Sequence, residues 1–482
     1  MNRRRFLIGT AGVALLPGCV SDDSGPLVPP DDDDDSAPVG DDDDSAPGDD
    51  DDSAPVGDDD DSAGPVDDRV GGPEPDPWVP PGFEDDQSFA WGVQAGDVTS
   101  ESVLLGTRTT FEAVELVLML GTETGWQEVQ RIDNQPALDS WVRLEVADLL
   151  PDHTYSYVFY SSPGVRSRPG RFRTAVAAGG ELRPVVFGAT SCLGSQGRPW
   201  PCLSRAAEEQ LDVFLLLGDT VYADGSVTLD EFRGEWRTAM ETQGLQDVLA
   251  STSVIATWDD HEVDNNWSYE SQGDRVDAAT EAFLEAVPSR EGPGGSTLWR
   301  VVRWGGVVDF FALDCRGERG GGQYISDEQM AWIKAELSAS TARFKIVLNS
   351  VPITDMSDFL GQISVDDRWS GYPEQREELL QHVDDEGIEG LLWITGDFHW
   401  GAVTRVGKEF PFLAGSQWEV LSGPAGSFIN PIAWITQPND QLQRVVAEFN
   451  YTWFHADPAT GIVEVAFVGD DGGTISSIAL EL

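Results

Sequence analysis

Basic residues are scarce in this sequence: 30 lysines and arginines stand against 85 aspartates and glutamates. With no basic stripe to neutralise phosphates, nucleic acid is excluded as a partner, and a phosphate ester must be held by metal cations or a few local arginines. Long apolar runs are missing as well. The run near the N-terminus is too short to span a bilayer as a mature helix and no later segment approaches that length, so membrane contact is limited to a lipid anchor. Cysteine occurs four times and histidine five times, which makes the position of each informative. From Val20 to about Pro77 there are no aromatic residues and almost no branched apolar ones. Such a stretch cannot bury enough surface to offset the entropy of ordering.

What fills that stretch is an imperfect repeat of DDDDSAPVG, beginning at Asp32, Asp41, Asp49 and Asp58. We read residues 20–77 as a disordered acidic linker, on the order of 40 Å long as an ideal coil and longer because the aspartates repel one another. A calcium-binding repeat is the functional alternative, but the glycine spacing it needs is absent. Ahead of the linker, residues 1–19 read as an address. Arg3, Arg4 and Arg5 before Phe6 and Leu7 resemble a twin-arginine signal, and Leu16, Pro17, Gly18 and Cys19 resemble a lipobox with Cys19 as the lipidated residue. Export to the cell envelope, periplasm or surface, with a lipid anchor at Cys19, is the expectation. An ordinary cleaved signal with an incidental cysteine is the alternative.

Residues 78–177 carry about seven short strands, Phe89–Gln94, Ser102–Arg108, Val114–Leu120, Glu128–Ile132, Trp141–Val146, Thr154–Ser161 and Gly170–Thr174, separated by Gly, Asp, Asn or Pro turns. That pattern predicts a small β-sandwich. Leu149 to Tyr157, LLPDHTYSY, resembles the L-x-P-x-T-x-Y-x-Y segment of fibronectin type III domains. After a glycine-rich joint at Ala177–Gly180, residues 178–482 alternate strand and helix, the mark of an α/β layered architecture, and close in a hairpin, Ile462–Val468 with Thr474–Leu480.

Three apolar runs in that second region stop at chemistry. Val213–Leu217 is followed by Gly218 and Asp219, Val254–Trp258 by Asp259, Asp260, His261 and Glu262, and Leu391–Thr395 by Gly396, Asp397, Phe398 and His399. Uninterrupted apolar runs of this length form strands buried on both faces, and open α/β sheets bind ligands at the C-terminal ends of their strands. With Cys192, Tyr222, Asn265 and Asn266 these residues suggest a metal centre. A carboxylate between two cations bridges them, and Asp219 is the expected bridge.

In order along the chain, SFAWGVQAGDVTSESVLLGTR, TSC, LGDTVYAD, TWDDHEVDNNW, AFLEAVPSR, LDCRGER, DEQMAWIKAELSAS, DRWSGYPEQREELL and TGDFHWG resemble a PhoD-like alkaline phosphatase or phosphodiesterase of the metallophosphoesterase superfamily, over roughly residues 85–425. The resemblance implies a layered β-sheet sandwich flanked by helices. It implies a centre of ferric iron plus calcium or another divalent ion such as zinc or manganese. Cys192, Asp219, Tyr222 and His399 would hold the first metal; Asp219, Asp397 and Asn265 or Asn266, with Asn349 a third candidate, would hold the second. Thiolate, phenolate and carboxylate suit a trivalent ion, and oxygen ligands a hard divalent one. His261 would be the general acid, with Asp259 or Asp260 fixing its tautomer and metal-bound hydroxide as nucleophile. The resemblance implies hydrolysis of phosphate mono- or diesters. The nearest enzymatic rival uses the same centre mainly on diesters such as phospholipid or teichoic-acid-like polymers, as a phospholipase D-like enzyme would; the rival from another class is a catalytically dead, calcium-dependent surface-binding module.

Arg316 and Arg319 are candidate phosphate donors, although arginine beside glycine is as often a loop anchor. Trp369, with Tyr372, is a candidate lid over the site. Cys192 has the alternative of a disulfide with Cys202 or Cys315, and Tyr222 that of plain packing. A purely structural reading of Asp219, His261, Asp397 and His399 leaves buried carboxylates without cations, which is too costly.

Overall fold

In the strand Val213–Leu216 successive side chains point to opposite faces and are buried in two different places. Val213 and Leu215 join Phe187, Phe310, Ile346, Leu348, Leu392 and Ile394 in a core between two sheets. Phe214 and Leu216 pack outward with Leu203, Trp236, Leu245 and Phe283 of covering helices. The opposite sheet does the same, with Phe311, Val347 and Trp393 facing Ile333 and Leu379 of its own helices. The result is a four-layer α/β/β/α sandwich. This computed structural model describes residues 75–137, 140–293, 295, 298–355, 365–407 and 417–482. The expected signal at 1–19, the lipidation of Cys19 and the linker as far as residue 74 lie outside the described residues.

One sheet has nine strands, in the order Thr474–Glu481, Ile462–Gly469, Asn450–Asp457, Val185–Thr190, Val213–Leu216, Ser253–Ala256, Val93–Gly96, Val103–Arg108 and Trp141–Val146. The other has seven, running Arg300–Trp304, Val308–Ala312, Phe344–Asn349, Leu391–Thr395, Trp418–Leu421, Gly401–Arg405 and Leu442–Val446. Four adjacent strands of each are parallel, Val185–Thr190 through Val93–Gly96 in the first and Val308–Ala312 through Trp418–Leu421 in the second. Their C-terminal ends open at one edge of the sandwich, where Thr257 Oγ1 donates to the Leu313 carbonyl at 2.6 Å and Trp258 Nε1 to Asp314 Oδ1 at 2.7 Å. Helices Pro201–Glu208, Leu229–Met240, Gln243–Ser251 and Asp274–Ala286 cover the first sheet, and Asp327–Ala339 and Pro373–Asp385 the second. Local chemistry sets their starts. Thr228 and Glu231 form a reciprocal capping box, Ser326 accepts from the Gln329 amide, and Pro373 occupies the first turn.

The N-terminal strands form the expected small sandwich, Val103, Leu105 and Val142 of one sheet packing with Leu116, Leu118 and Phe159 of the other, but one of its sheets is shared. Six strands, with Ala113–Thr122 and Thr154–Ser162 at the centre, form a sheet of their own. Val93–Gly96 instead pairs in parallel with Ser253–Ala256 and carries Val103–Arg108 and Trp141–Val146 onto the nine-stranded sheet. An edge strand left unpaired exposes a row of amides and carbonyls, and sharing the sheet removes it. The strand expected at Phe89–Gln94 begins only at Val93, because Asp85 Oδ1 accepts from the Gln87 and Ser88 amides and winds the preceding residues into turns.

Asp97, at the end of the shared strand, clamps the layers. Both its oxygens accept from Arg300 of the seven-stranded sheet, at 2.7 and 2.8 Å, with both side chains buried. Asp97→Asn leaves that guanidinium buried without its charge partner, so we expect a loss of about 3–5 kcal/mol in urea unfolding. A loss below about 1 kcal/mol contradicts the assignment.

Candidate metal centre

Four of the expected ligands sit in a backbone conformation that side chains other than glycine avoid. Cys192, Asp219, Asp397 and His399 have φ of 56°, 53°, 66° and 55°. Each costs about 1–3 kcal/mol, and such residues persist where the surroundings over-determine them. Here they do. The Cys192 amide donates to the Gly218 carbonyl at 3.2 Å and the Leu193 amide to that of Asp219 at 2.8 Å, so the two strand ends are laced together. Gly218, at φ 107°, has no room for a side chain, because a Cβ there would lie 2.4 Å from that of Asp259.

Three groups of potential ligand atoms form at this edge, those within each group lying within 4.8 Å of one another: Cys192, Asp219 and His399; Asp219, Asp260 and His261; Asp259, Asp260 and Asp397. The Tyr222 hydroxyl is 3.4 Å from Asp219 Oδ2 and 3.3 Å from His399 Nε2, beside the first group. Asp397 gathers with Asp259 and Asp260, and Asp260 is also in the group that contains Asp219. Cys192, Cys202 and Cys315 are free thiols, so the disulfide alternative has no bond to rest on.

The other expected residues fall differently. The carboxylate on His261 Nδ1 is that of Asp224, at 2.7 Å, where Asp259 or Asp260 was expected. Asp259 Oδ1 instead accepts from Arg316 Nε at 2.5 Å, and Asp260 accepts from the amides of His261 and Asn266. Asn265 and Asn266 are both exposed, the Asn266 side-chain amide facing Asp367 Oδ2 at 2.6 Å, an orientation in which its nitrogen donates once O and N are exchanged, whereas Asn349 is buried with Oδ1 accepting from Cys315 and Trp369. Arg319 is an anchor: it pairs with Asp367 and donates to the Trp267 carbonyl. Arg316 also pairs with Asp367, and its remaining nitrogen lies 3.8 Å from both Asp260 and Asp397. Trp369 is no lid. Its ring is fully buried among Tyr324, Ile333 and Leu379, since an indole gains most by leaving water.

Three further residues, unassigned from sequence, organise the site. Glu262 accepts from the amides of Asp219, Thr220 and Asp259 at 3.0, 2.7 and 2.8 Å, tying two strand ends together. Asp224 holds His261, and Asp367 binds both arginines. Glu262, directly after DDH, was the one a sequence signal favoured.

Electrostatically the cluster asks for cations. Burial pushes the Asp219 and Asp397 carboxyls well above the usual range; His261 pulls the first back, and Asp259 pushes the second further. Burial, then Asp219, raises the Cys192 thiol and the Tyr222 phenol. Burial takes Asp259 to about 6 against the pull of Arg316 and Glu262 to about 7 against its backbone donors, while burial and His261 lower His399 to about 4. Only at Asp260 is burial outweighed, by Arg316 and His261, so that it stays below the usual range. Asp259 Oδ2 and Arg316 Nη2 are buried without hydrogen-bond partners. Thiol, phenol, imidazole and clustered carboxylates with an orphaned oxygen fit bound metal, which would satisfy and ionise them.

Without metal, buried carboxyls with raised values favour the fold in their neutral form. Asp259 and Glu262 have folded-state values of about 6 and about 7, above their ordinary 3.8 and 4.5, so each stabilises the fold while protonated. That contribution is full below about pH 4 and is lost as pH rises through about 6 to 7. We expect the metal-free melting temperature to fall between about pH 5 and pH 8, and added metal to raise it more at the higher pH. A metal-induced rise that shrinks with pH contradicts this.

A two-sheet sandwich with these groups at one shared edge defines a metallophosphoesterase-like fold. PhoD-like phosphatase is the family whose pattern matches residues 187–467, and the N-terminal domain of the same family matches residues 80–176. The chain belongs to the PhoD-like phosphatase family. It is 25% identical over 375 residues to alkaline phosphatase D of Bacillus subtilis (strain 168), covering 64% of this chain and 64%, a little under two thirds, of that relative's length. The solved structure of PhoD matches with TM-score 0.71 at 22% identity, over 83% of this chain and 90% of that one. A purple acid phosphatase isolated from yellow lupin (Lupinus luteus) seeds matches with TM-score 0.59 at 14% identity, over 81% and 73%. At these identities both likenesses are of fold.

Proposed function

We propose that the chain is an exported, lipid-anchored, metal-dependent phosphoesterase that hydrolyses phosphate mono- and diesters with two metal ions, ferric iron and calcium or another divalent ion. The observation that carries this reading is the run of three ligand groups along one strand edge, Asp219 belonging to two of them. Cys192, Asp219, Tyr222 and His399 would hold one ion; Asp259, Asp260 and Asp397, with Asp219 bridging and one of Asn265, Asn266 or Asn349, the other. Bound there, such ions would supply Lewis acidity toward the phosphoryl oxygens and acidify water.

The chain's own groups do the rest. Asp224 accepts from His261 Nδ1, which turns Nε2 toward the leaving oxygen and keeps a proton there to give. Asp224→Asn is expected to lower kcat about 10–100-fold for an alkyl ester, and much less for a nitrophenyl ester whose leaving group needs no proton. Equal losses for both contradict the role. Arg316 would steady the negative groups from beneath.

The reading is tested by assaying a chromogenic monoester and diester with and without chelator, alongside elemental analysis of protein taken from its own cell envelope. Turnover that chelator abolishes, with iron and a divalent ion bound, is expected. No turnover of either ester by the metal-loaded protein overturns it in favour of a binding module.

A further inference from the structure

Ten large apolar side chains are exposed among the described residues, and three of them fall within eight consecutive positions: Phe428, Trp434 and Ile435. Every other tryptophan of the described chain is at least partly buried, whereas Trp434 is 63% exposed. Scattered exposed apolar residues need no explanation; a cluster does.

This cluster is mounted on the candidate metal centre. The Phe428 ring stands edge-on to His399, centroids 4.4 Å apart. The same row continues inward, with Tyr222 Oη 3.3 Å from His399 Nε2 and the Tyr222 ring 4.3 Å from that of His261. The supporting backbone is tied to the expected ligands: the Gly426 and Ser427 amides donate to the Cys192 carbonyl at 3.1 and 2.9 Å, and the Asn430 amide to that of His399 at 2.9 Å. Asn430 then caps the short helix Pro431–Ile435 that carries Trp434 and Ile435. Exposed apolar surface therefore begins at Phe428, against the expected ligand His399, and the short stretch from there to Trp434 and Ile435 is held in place by four backbone and cap contacts.

Resting on the phosphoesterase reading, we propose that Phe428, extended by Trp434 and Ile435, is a subsite for the alcohol portion of the substrate, so that the preferred esters are those of apolar alkyl or aryl alcohols. A polar alcohol such as glycerol leaves that surface wetted and gains nothing from it. An alkyl chain removes both surfaces from water, and its ester is turned over faster at low concentration.

The test uses the full-length, metal-loaded protein and two phosphate monoesters free in solution, hexyl phosphate and glycerol 2-phosphate, read by phosphate release. Phe428→Ser is expected to lower kcat/KM for hexyl phosphate by roughly tenfold or more and Trp434→Ser by a few-fold, with glycerol 2-phosphate changed less than about twofold by either. Parallel loss for both esters, the mark of a disturbed His399, overturns the proposal, and so does no change in either. Calorimetric titration of the wild type needs no turnover: hexylphosphonate is expected to bind roughly tenfold tighter than methylphosphonate. Equal affinities, or no binding of either, overturn the subsite. Failure to hydrolyse any ester while hexylphosphonate still binds tighter overturns the phosphoesterase reading alone.

Discussion

Asp219→Ala is expected to lower kcat/KM for every phosphate ester by on the order of 10³-fold or more, because one side chain serves two of the three ligand groups. Loss of activity alone would not distinguish a ligand from a residue that merely shapes the site. The stability of the variant does. Asp219 is 1% exposed, among Asp259, Asp260 and Glu262, and burial has already pushed its carboxyl well above the usual range. Removing it ends the cost of keeping that carboxyl buried when no cation is present. The metal-free variant is therefore expected to melt no lower than the metal-free parent, while the rise in melting temperature on adding metal is largely lost. A variant that melts lower without metal and gains as much from metal as the parent shows that Asp219 is ordinary structure.

The opposite balance holds at Arg316. Its guanidinium is wholly buried, 2.5 Å from Asp259 through Nε, paired with Asp367, and 3.8 Å from both Asp260 and Asp397. It is a positive charge fixed beneath four carboxylates. Arg316→Gln keeps much of the bulk and some donors but removes the charge, leaving the carboxylates to one another. We expect a loss of about 3–5 kcal/mol in urea unfolding of the metal-free protein, and a smaller loss once metal is bound. A change below about 1 kcal/mol in both forms would mean that the carboxylates are already protonated or held elsewhere. Arg319, which shares Asp367 but not the metal-facing groups, serves as the comparison.

The parts of the fold that announce themselves in sequence are those buried on both faces. Val213–Leu216 and Leu391–Thr395 read as strands because their partners lie in two different cores, so every position but Thr395 is apolar. Asn450–Asp457 was not read, since its polar positions only pair and cover between Val185–Thr190 and Ile462–Gly469. The helix Gln243–Ser251 was hidden by Gly244 in its first turn. That glycine is required because a Cβ would lie 2.2 Å from the Trp200 carbonyl oxygen, a contact between distant segments that no local pattern carries.

The same division runs through the candidate site. Cys192, Asp219, Asp259, Asp260, His261, Asp397 and His399 were legible because each follows the end of an apolar run, and strand order alone brings those ends to one edge. Asp224 and Asp367 were not, because they act through other groups, Asp224 through His261 and Asp367 through two guanidiniums; Glu262 stands at a strand end in sequence, but its part is played through three backbone amides. Trp369 looked like a lid from its place in a loop beside the motifs, yet the loop turns the indole inward, where its Nε1 meets Asn349. Composition locates donors; only tertiary contact decides what they face.

The most direct measurement is anomalous diffraction from crystals of the metal-loaded protein, collected on both sides of the iron absorption edge. The expected result is two peaks, the iron peak contacting Cys192, Asp219, Tyr222 and His399, and a second peak sharing the Asp219 carboxylate. A single peak, or two peaks neither of which touches Asp219, contradicts the account.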